Sequence, residues 1–363
     1  MLELNQSGAL PEFHHQEMMN YILQTVATPA LCCIGLFGNF LVIMILKTPR
    51  MRSTFHQSLL SLAVCDILFL ALIIIDTFGD YLYPIYILMF PHVFNPMKNI
   101  LLCWETFLIM SISTERYLAI CRPLLYRSHK LRLSQRAHLF TFIFPPIFSA
   151  IVINIPKFFE TKLVTENVCL ANGSILEIYD YTLTDLRMNP DYIYYYTHLV
   201  KNLFTGIIPL FYLLFLNISI LREIKKTSRS SRRLQETYNL RRISGNASMT
   251  STEESSSTKR SQQYFLTLGI IVVLFLLCNT PRIILNFLDH YYEDFEDFAA
   301  MNIKPEHLEF FILISHFFLV INSASNFLIY FSVCNKFKNI LMNKLESFRR
   351  SRSLQNEETD LER

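Results

Sequence analysis

The chain has 363 residues, of which 52% are hydrophobic, 14% aromatic and only 17% charged, and its mean hydropathy is +0.29. This balance excludes an ordinary water-soluble domain and is typical of a membrane protein. The formal net charge is only +3, so the positions of the charges are more informative than their sum.

Seven apolar runs are long enough to cross about 30 Å of hydrocarbon as helices. They cover residues 22–46, 57–79, 97–120, 138–156, 198–221, 264–288 and 308–332, and we number them spans one to seven. The predicted fold is an all-α membrane protein, with a seven-helix bundle at 22–335, an N-terminal tail at 1–21 and a final segment at 336–363. Seven crossings place the two termini on opposite sides of the membrane.

Basic residues predict the orientation, because loops rich in Lys and Arg stay cytoplasmic. With the N-terminus outside, the inner loops, inner helix ends and C-terminal tail hold 26 of the 33 Lys and Arg. We therefore predict an extracellular N-terminus. The first twenty residues have neither a basic start nor an apolar core, so we expect no cleaved signal peptide. Two sequons on the predicted outer side are candidate glycosylation sites, at Asn5 and Asn172.

Two cytoplasmic segments have distinct compositions. The loop at 223–262 is basic and then rich in Ser and Thr, with few apolar residues, which predicts disorder. Within it Ser244 follows Arg241 and Arg242, a pattern that favours phosphorylation by a basic-directed kinase. Residues 336–348 predict a short amphipathic helix that lies on the membrane lipid of the inner leaflet.

The stretch Glu115-Arg116-Tyr117 ends span three on its cytoplasmic side. It resembles the Glu/Asp-Arg-Tyr motif of rhodopsin-like G-protein-coupled receptors, and further motifs of that family recur in order at matching depths. They are Gly38-Asn39, Leu62-Ala63-Val64-Cys65-Asp66, Pro209, Cys278-Asn279-Thr280-Pro281 and Asn326-Phe327-Leu328-Ile329-Tyr330. The resemblance implies a receptor, not an enzyme, that signals through a heterotrimeric G protein and is regulated by receptor kinases and arrestin.

Four stretches are more specific within this family. They are Asn154-Ile155-Pro156-Lys157-Phe158-Phe159-Glu160, Leu186-Arg187-Met188-Asn189-Pro190 with its following tyrosines, Thr205-Gly206-Ile207-Ile208-Pro209 and Asn326-Phe327-Leu328-Ile329-Tyr330. With them the chain looks like the invertebrate FMRFamide-type neuropeptide receptors over about residues 25–345. The likeness implies a short extracellular neuropeptide as the ligand and the plasma membrane as the location. A non-peptide ligand is the alternative, and a seven-span transporter is less favoured because no internal repeat is found.

Several positions depart from the family pattern. The usual tryptophan of span six is Asn279, the usual proline of span seven is Phe327, and a frequent tyrosine of span five is Asn217. The position of the cysteine that usually pairs with the second outer loop is Pro91, so Cys169 lacks its usual disulfide partner and its actual partner is unknown. We therefore expect the activation switch to be built differently in detail.

The resemblance implies an activation switch around Arg116, whose guanidinium pairs with Glu115 and with acceptors on span six until the receptor opens. The alternative is an interfacial cation that snorkels to the head groups. The other switch positions implied by the resemblance are Tyr117, Pro281, Asn326 and Tyr330.

Asp66 lies about eleven residues into span two, at mid-membrane depth. The resemblance implies that its carboxylate binds sodium, an allosteric ion rather than a cofactor, within a site whose other members are Asn39, Asn322, Ser323 and Asn326. Glu105 lies eleven residues before Arg116, three helical turns and roughly 16 Å away on the same inward face. Two carboxylates in one dry pocket cannot both ionise cheaply, so we predict that they share a proton or jointly hold a cation. The alternative is a Glu105 bonded to an unrelated backbone or amide group.

Lys98 lies one heptad before Glu105 and therefore also faces inward, near the floor of a ligand pocket. Receptors for biogenic amines resemble one another in having an aspartate at this position, so a lysine there argues against an amine as the ligand. Arg282 adds a second cation, unless it forms a structural ion pair with Asp289. We therefore expect the floor to prefer carbonyls, amides or an acidic group, and Tyr195 offers an aromatic contact near the mouth.

The last outer loop is acidic, with Asp294, Glu296 and Asp297 at its centre. Such a field attracts and orients a basic ligand, although a merely solvated loop fits the composition equally well. We predict that the basic part of a peptide ligand lies at this rim and that its apolar, amidated end lies near Lys98. The sequence contains no evident phosphate-binding glycine loop, metal motif or nucleic-acid module.

Overall fold

The computed structural model describes residues 18–49, 54–132, 137, 139–169, 175–243, 252–291 and 305–361. The described residues form a helical bundle with one antiparallel hairpin of two strands. We call the end of the bundle that carries the hairpin the hairpin end. The opposite end, where Arg116 lies, is the Arg116 end.

All seven predicted spans are helical. Their main helices are Thr28–Leu46, Thr54–Thr77, Asn95–Cys121, Phe144–Asn154, Ile208–Ile243, Thr252–Tyr291 and Pro305–Val333. Turns of π-helix precede four of them, at Ile22–Ala27, Phe90–Phe94, Leu139–Ile143, and Ile193–Lys201 with Leu203–Ile207. Shorter helices connect the spans, at Gly79–Leu82, Ile85–Met89, Pro123–Arg132, Ile155–Phe159, Asp185–Met188 and Pro190–Tyr192.

Six helices of the described residues are long and apolar enough to cross a membrane by length and composition. Span three has 27 residues, which is sufficient length, but Lys98, Glu105, Glu115 and Arg116 make it less apolar than the others. Within lipid, every backbone polar group needs an internal partner, so single apolar runs of this length must be helical. The prediction of an all-α membrane bundle is confirmed.

The hairpin lies between spans four and five. Strand β1, Thr161–Cys169, pairs with strand β2, Ile175–Leu183. Tyr83 accepts a hydrogen bond from the Tyr179 backbone N–H at 2.9 Å, and the Phe90 ring stacks on Tyr181 with 4.3 Å between centroids. These contacts fix the hairpin against the segment that leads into span three. The two strands were not predicted from the sequence.

The loop at 223–262, for which the composition predicts disorder, is helical over its described residues. Span five continues as helix to Ile243, and span six begins at Thr252; residues 244–251, including Ser244, lie outside the described residues. The segment from 222 to 243 contains no Pro or Gly and is rich in Arg, Lys, Leu and Glu, all good helix formers. A span that is already helical removes the nucleation cost, so the helix propagates into the loop.

The helix after span seven is also longer than predicted, because it covers Asn335–Leu361 instead of 336–348. Its buried residues Phe337, Ile340 and Leu341 lie on one face and pack under the bundle. The Lys344 ammonium donates to the Met44 backbone carbonyl at 3.1 Å. The helix is therefore attached to the Arg116 end of span one.

Small residues allow spans one and seven to approach closely. A Cβ on Gly35 would lie 2.9 Å from the Ala324 Cα, and a Cβ on Gly38 would lie 2.8 Å from the Phe327 Cβ. Membrane helices use such residues because association in lipid depends on close packing rather than on the hydrophobic effect. Phe40, by contrast, is 54% exposed on the outside of the bundle, the surface that faces lipid tails.

Candidate functional sites

A cluster of buried polar side chains lies at the middle of the bundle, and we call it the polar core. Asn326 donates to Asp66 Oδ2 at 2.7 Å, and Asn322 donates to Glu105 Oε1. Asn322 and Asn326 are one helical turn apart on span seven, so one face of that helix contacts both carboxyl groups. The members of the polar core are Asn39, Asp66, Glu105, Asn322, Ser323 and Asn326, each at most 4% exposed.

The backbone around the polar core is fixed by Asn39. Its amide donates to the Ser323 carbonyl at 2.8 Å and to the Gly35 carbonyl at 3.0 Å. The first bond connects span one to span seven, and the second lies within span one. The six residues predicted for this site are therefore brought together, including Glu105, which the family pattern does not require.

The polar core has the oxygen ligands that a sodium ion needs. Asp66 Oδ1 is buried and accepts no hydrogen bond of good geometry from the described residues, and the Ser323 hydroxyl lies near the same carboxyl group. A buried carboxylate without a full set of partners is costly unless a proton or a cation compensates it. The donor set therefore fits either a shared proton or a small cation.

Arg116 lies at the opposite end of span three and is held by two neighbours. Its Nη2 atom is 3.5 Å from Glu115 Oε1, and its guanidinium lies over the Phe55 ring at 3.6 Å from the centroid. The Tyr126 hydroxyl donates to the same Glu115 oxygen at 3.1 Å. The predicted pair of Glu115 and Arg116 is present, whereas Phe55 and Tyr126 were not predicted. An acceptor for Arg116 on span six stays a prediction.

The remaining switch positions lie around this arginine or above it. Tyr330 is 4% exposed, with its ring 5.9 Å from that of Phe337 in the final helix. Pro281 lies inside the span-six helix, and Tyr117 is half-buried. Of these residues, Tyr330 therefore has the clearest structural link, from the family motif of span seven to the helix that follows it.

Lys98 faces inward as predicted, but it already has an anionic partner. Its Nζ atom lies 2.8 Å from Asp76 Oδ2, and the Tyr86 hydroxyl donates to the other oxygen of Asp76. The Phe90 ring lies 5.4 Å from the Lys98 ammonium. Lys98 therefore belongs to an ion pair between spans two and three at the hairpin end. Asp76 was not predicted from the sequence.

Two further basic residues at the hairpin end share one buried carboxylate, and we call Lys157, Glu160, Arg187 and Tyr192 the Glu160 cluster. Lys157 Nζ lies 2.6 Å from Glu160 Oε2, Arg187 Nε lies 3.8 Å from it, and Tyr192 donates to Glu160 Oε1 at 2.9 Å. Lys201 lies nearby and donates to Asn99 Oδ1 at 2.7 Å. A lysine inside an apolar span is costly and usually functional, and that signal could have singled out Lys201.

Arg282 and Tyr195, both predicted as ligand contacts, have different environments. Arg282 is half-buried and makes no hydrogen bond or ion pair with a described residue, although Glu105 lies within electrostatic range. Tyr195 is 59% exposed and packs edge-on against Tyr194. The predicted contact of Tyr195 with a ligand stays a prediction, and Tyr192 is the tyrosine that joins the Glu160 cluster.

Several predicted sites lie outside the described residues. They are Asn5, Asn172, Ser244, Asp294, Glu296 and Asp297, together with the side chains of Cys169 and Asp289. The other seven of the eight cysteines are free thiols, so none of them is the disulfide partner of Cys169. Pro91, at the position of the usual partner, is buried in the turn before span three.

A known protein family matches most of the part of the chain that contains the seven spans. A family model described as 7 transmembrane receptor (rhodopsin family) matches residues 38–330. The chain belongs to this family. The receptor's polar core and its Glu115-Arg116-Tyr117 motif both lie within the matched residues, and membership makes the protein a receptor rather than an enzyme.

Three similar proteins have names that refer to peptides. The receptor is 28% identical to the FMRFamide receptor of Drosophila melanogaster over 321 residues, an alignment that covers 85% of this chain and 51% of that protein. It is 24% identical to an FMRFamide peptide receptor of Caenorhabditis elegans over 335 residues, which are 88% of this chain and 68% of the relative. It is 23% identical to the sex peptide receptor of Drosophila melanogaster over 337 residues, which are 85% of this chain and 69% of the relative. The chain thus spans about half the length of the first of these relatives.

Proposed function

We propose that this receptor binds a short extracellular peptide at its hairpin end and signals through a heterotrimeric G protein at its Arg116 end. The names of the three relatives support a peptide ligand. The observation that carries the proposal is the separation of two polar sites along one helix. Lys98 and Arg116 are eighteen residues apart on span three, roughly 27 Å, which suits a ligand site and a transducer site on opposite membrane faces.

The mechanism we propose is a population shift. A peptide that binds more tightly to the open state moves the equilibrium towards that state in proportion to its differential affinity. Opening would separate Arg116 from Glu115 and Phe55 and uncover a cleft for the G protein. Receptor kinases and arrestin would then act on the same open state.

The proposed orientation places the hairpin end outside the cell and the receptor in the plasma membrane. It is supported by the excess of Lys and Arg in the loops of the Arg116 end. It is also supported by the sequons at Asn5 and Asn172, which this orientation makes extracellular. Labelling of an epitope fused to the N-terminus in intact, unpermeabilised cells would test it; labelling only after permeabilisation would contradict it.

We further propose that sodium or a proton in the polar core regulates the receptor. The support is the pair of buried carboxyl groups, Asp66 and Glu105, that contact adjacent turns of span seven through Asn326 and Asn322. The ion would stabilise the closed arrangement of spans two, three and seven. Its release on opening would make ligand affinity depend on the sodium concentration and pH.

A peptide screen tests the main proposal. Cells expressing the full chain would be exposed to a library of short amidated peptides that includes Phe-Met-Arg-Phe-amide, with second messengers as the readout. We expect a saturable response that is lost in the Arg116→Ala variant at matched surface expression and is absent from untransfected cells. Responses only to non-peptide compounds would contradict the peptide assignment, and transport of a solute would contradict the receptor assignment.

A further inference from the structure

Two half-buried cations at the hairpin end, Lys201 and Arg282, have no carboxylate at ion-pair distance among the described residues. Lys98 is paired with Asp76, and Lys157 and Arg187 share Glu160. The Lys201 ammonium, by contrast, donates to the neutral Asn99 amide oxygen. Arg282 has no hydrogen bond or ion pair among the described residues.

Lys201 and Arg282 both point into the bundle. Asn99, the acceptor of Lys201, belongs to span three, so the Lys201 side chain crosses from span five towards the interior. The electrostatic neighbours of Arg282 are Cys103 and Glu105, both buried on span three. Neither cation can therefore be explained as a side chain that snorkels to lipid head groups.

The packing of spans five and six brings the two cations near one another. A Cβ on Gly206 would lie 3.3 Å from Ile283 Cγ1, so the two helices touch beside Arg282. Lys201 precedes Gly206 by five residues, about one turn in the π-helical segment. Lys201 is repelled by Arg282 and more strongly by Lys157, and it is attracted by Glu160.

Like charges that lie near one another in a dry bundle are unfavourable unless anions compensate them. Glu160 and Glu105 lie within electrostatic range of Lys201 and Arg282 respectively and offset part of this cost, but neither forms an ion pair with them. Both residues retain some accessible surface. We propose that Lys201 and Arg282 form a subsite for a carboxylate of the peptide ligand, with Asn99 holding the lysine in place. The planar guanidinium fork matches a carboxylate with two parallel hydrogen bonds. This inference rests on the proposed peptide function and identifies a carboxylate as the ligand group that lies between spans five and six.

The carboxylate has two sources in a peptide, an acidic side chain or a free C-terminus. Small probes separate them without knowledge of the natural peptide. N-acetyl-aspartic acid methylamide carries only the side-chain carboxylate, and N-acetyl-phenylalanine carries only the terminal one. Their neutral counterparts are N-acetyl-asparagine methylamide and N-acetyl-phenylalanine amide.

The test measures the thermal unfolding of the purified full chain in lipid nanodiscs at constant ionic strength. We expect at least one acid probe to raise Tm saturably by about 2–4 °C at tenfold excess over its Kd, with no rise from the neutral counterpart. The rise should be lost in Arg282→Gln and in Lys201→Gln. It should persist in Lys162→Gln, a matched control on the exposed face of β1.

The outcomes separate this inference from the peptide function. If acid and neutral probes act alike on the native chain, or if the rise survives in both Arg282→Gln and Lys201→Gln, the carboxylate subsite does not exist. The comparison on the native chain decides the matter even if both variants fail to fold. If the acid probe binds at this subsite but no peptide activates the receptor in cells, the subsite stands and the peptide function falls.

Discussion

The Lys98 ammonium lies 2.8 Å from Asp76 Oδ2, so spans two and three are joined by an ion pair at the hairpin end. The pair is partly accessible, with side-chain exposures of 19% for Lys98 and 31% for Asp76. A ligand carbonyl that approaches Lys98 must therefore share the ammonium with Asp76. This sharing changes what a substitution at Lys98 is expected to do.

The Lys98→Met variant should lose about tenfold or more in peptide affinity, because it removes a cationic donor and also leaves Asp76 uncompensated. The double variant with Asp76→Asn should recover part of that loss, since it removes the unpaired charge. Radioligand or fluorescent-peptide binding at matched surface expression measures both. A gain in potency for basic peptides in Lys98→Met would mean that the lysine excludes them and that the predicted ligand orientation is wrong.

Substitution of Glu115 should raise signalling without a ligand. In Glu115→Gln the charge that faces Arg116 is removed, and a loss of about 1 kcal/mol from the closed state changes the two-state ratio roughly fivefold. Tyr126→Phe removes only the hydroxyl that donates to Glu115 and should give a smaller rise. Second-messenger levels normalised to surface expression are the measurement, and unchanged basal levels in Glu115→Gln would argue against a switch.

The paired carboxyl groups of the polar core should make ligand affinity depend on sodium and pH. Glu105→Gln leaves one carboxyl group and keeps a side chain that can bond to Asn322, so we expect the sodium and pH dependence to weaken strongly while the receptor still folds. Titration of peptide affinity against sodium chloride, with N-methylglucamine chloride as the ionic-strength control, measures the effect. A dependence identical to that of the native chain would show that Asp66 and Glu105 act separately.

The acidic residues of the last outer loop should affect the association rate of a peptide more than its equilibrium affinity. Replacement of Asp294, Glu296 and Asp297 by Asn, Gln and Asn should slow the binding of a basic peptide and reduce the salt dependence of the on-rate. The on-rate should be measured for the basic peptide and for a neutral peptide of equal length at low and moderate ionic strength. Equal effects on both peptides would mean that the loop acts through its shape and not through its charge.

The sequence by itself determined the class, the number of spans and the identity of the polar residues within them. Hydrophobic length fixes helical spans, because lipid offers no partner to a backbone N–H or carbonyl. Helical spacing was enough to place Glu105 and Arg116 on one face of span three. The resemblance to the receptor family, rather than spacing, placed Asn39, Asn322, Ser323 and Asn326 beside Asp66. Each is a polar group that is costly unless it points away from lipid.

Only the tertiary structure decided which charges compensate one another. Asp76 on span two pairs with Lys98 on span three. Glu160 pairs with Lys157, which precedes the hairpin, and with Arg187, which follows it. No spacing within one helix predicts these pairs. Lys201 reaches Asn99 only because the rotation of span five turns it towards span three. Pairing between elements depends on helix rotation and separation, which the packing of Gly35, Gly38 and Gly206 sets and which a one-dimensional pattern does not contain.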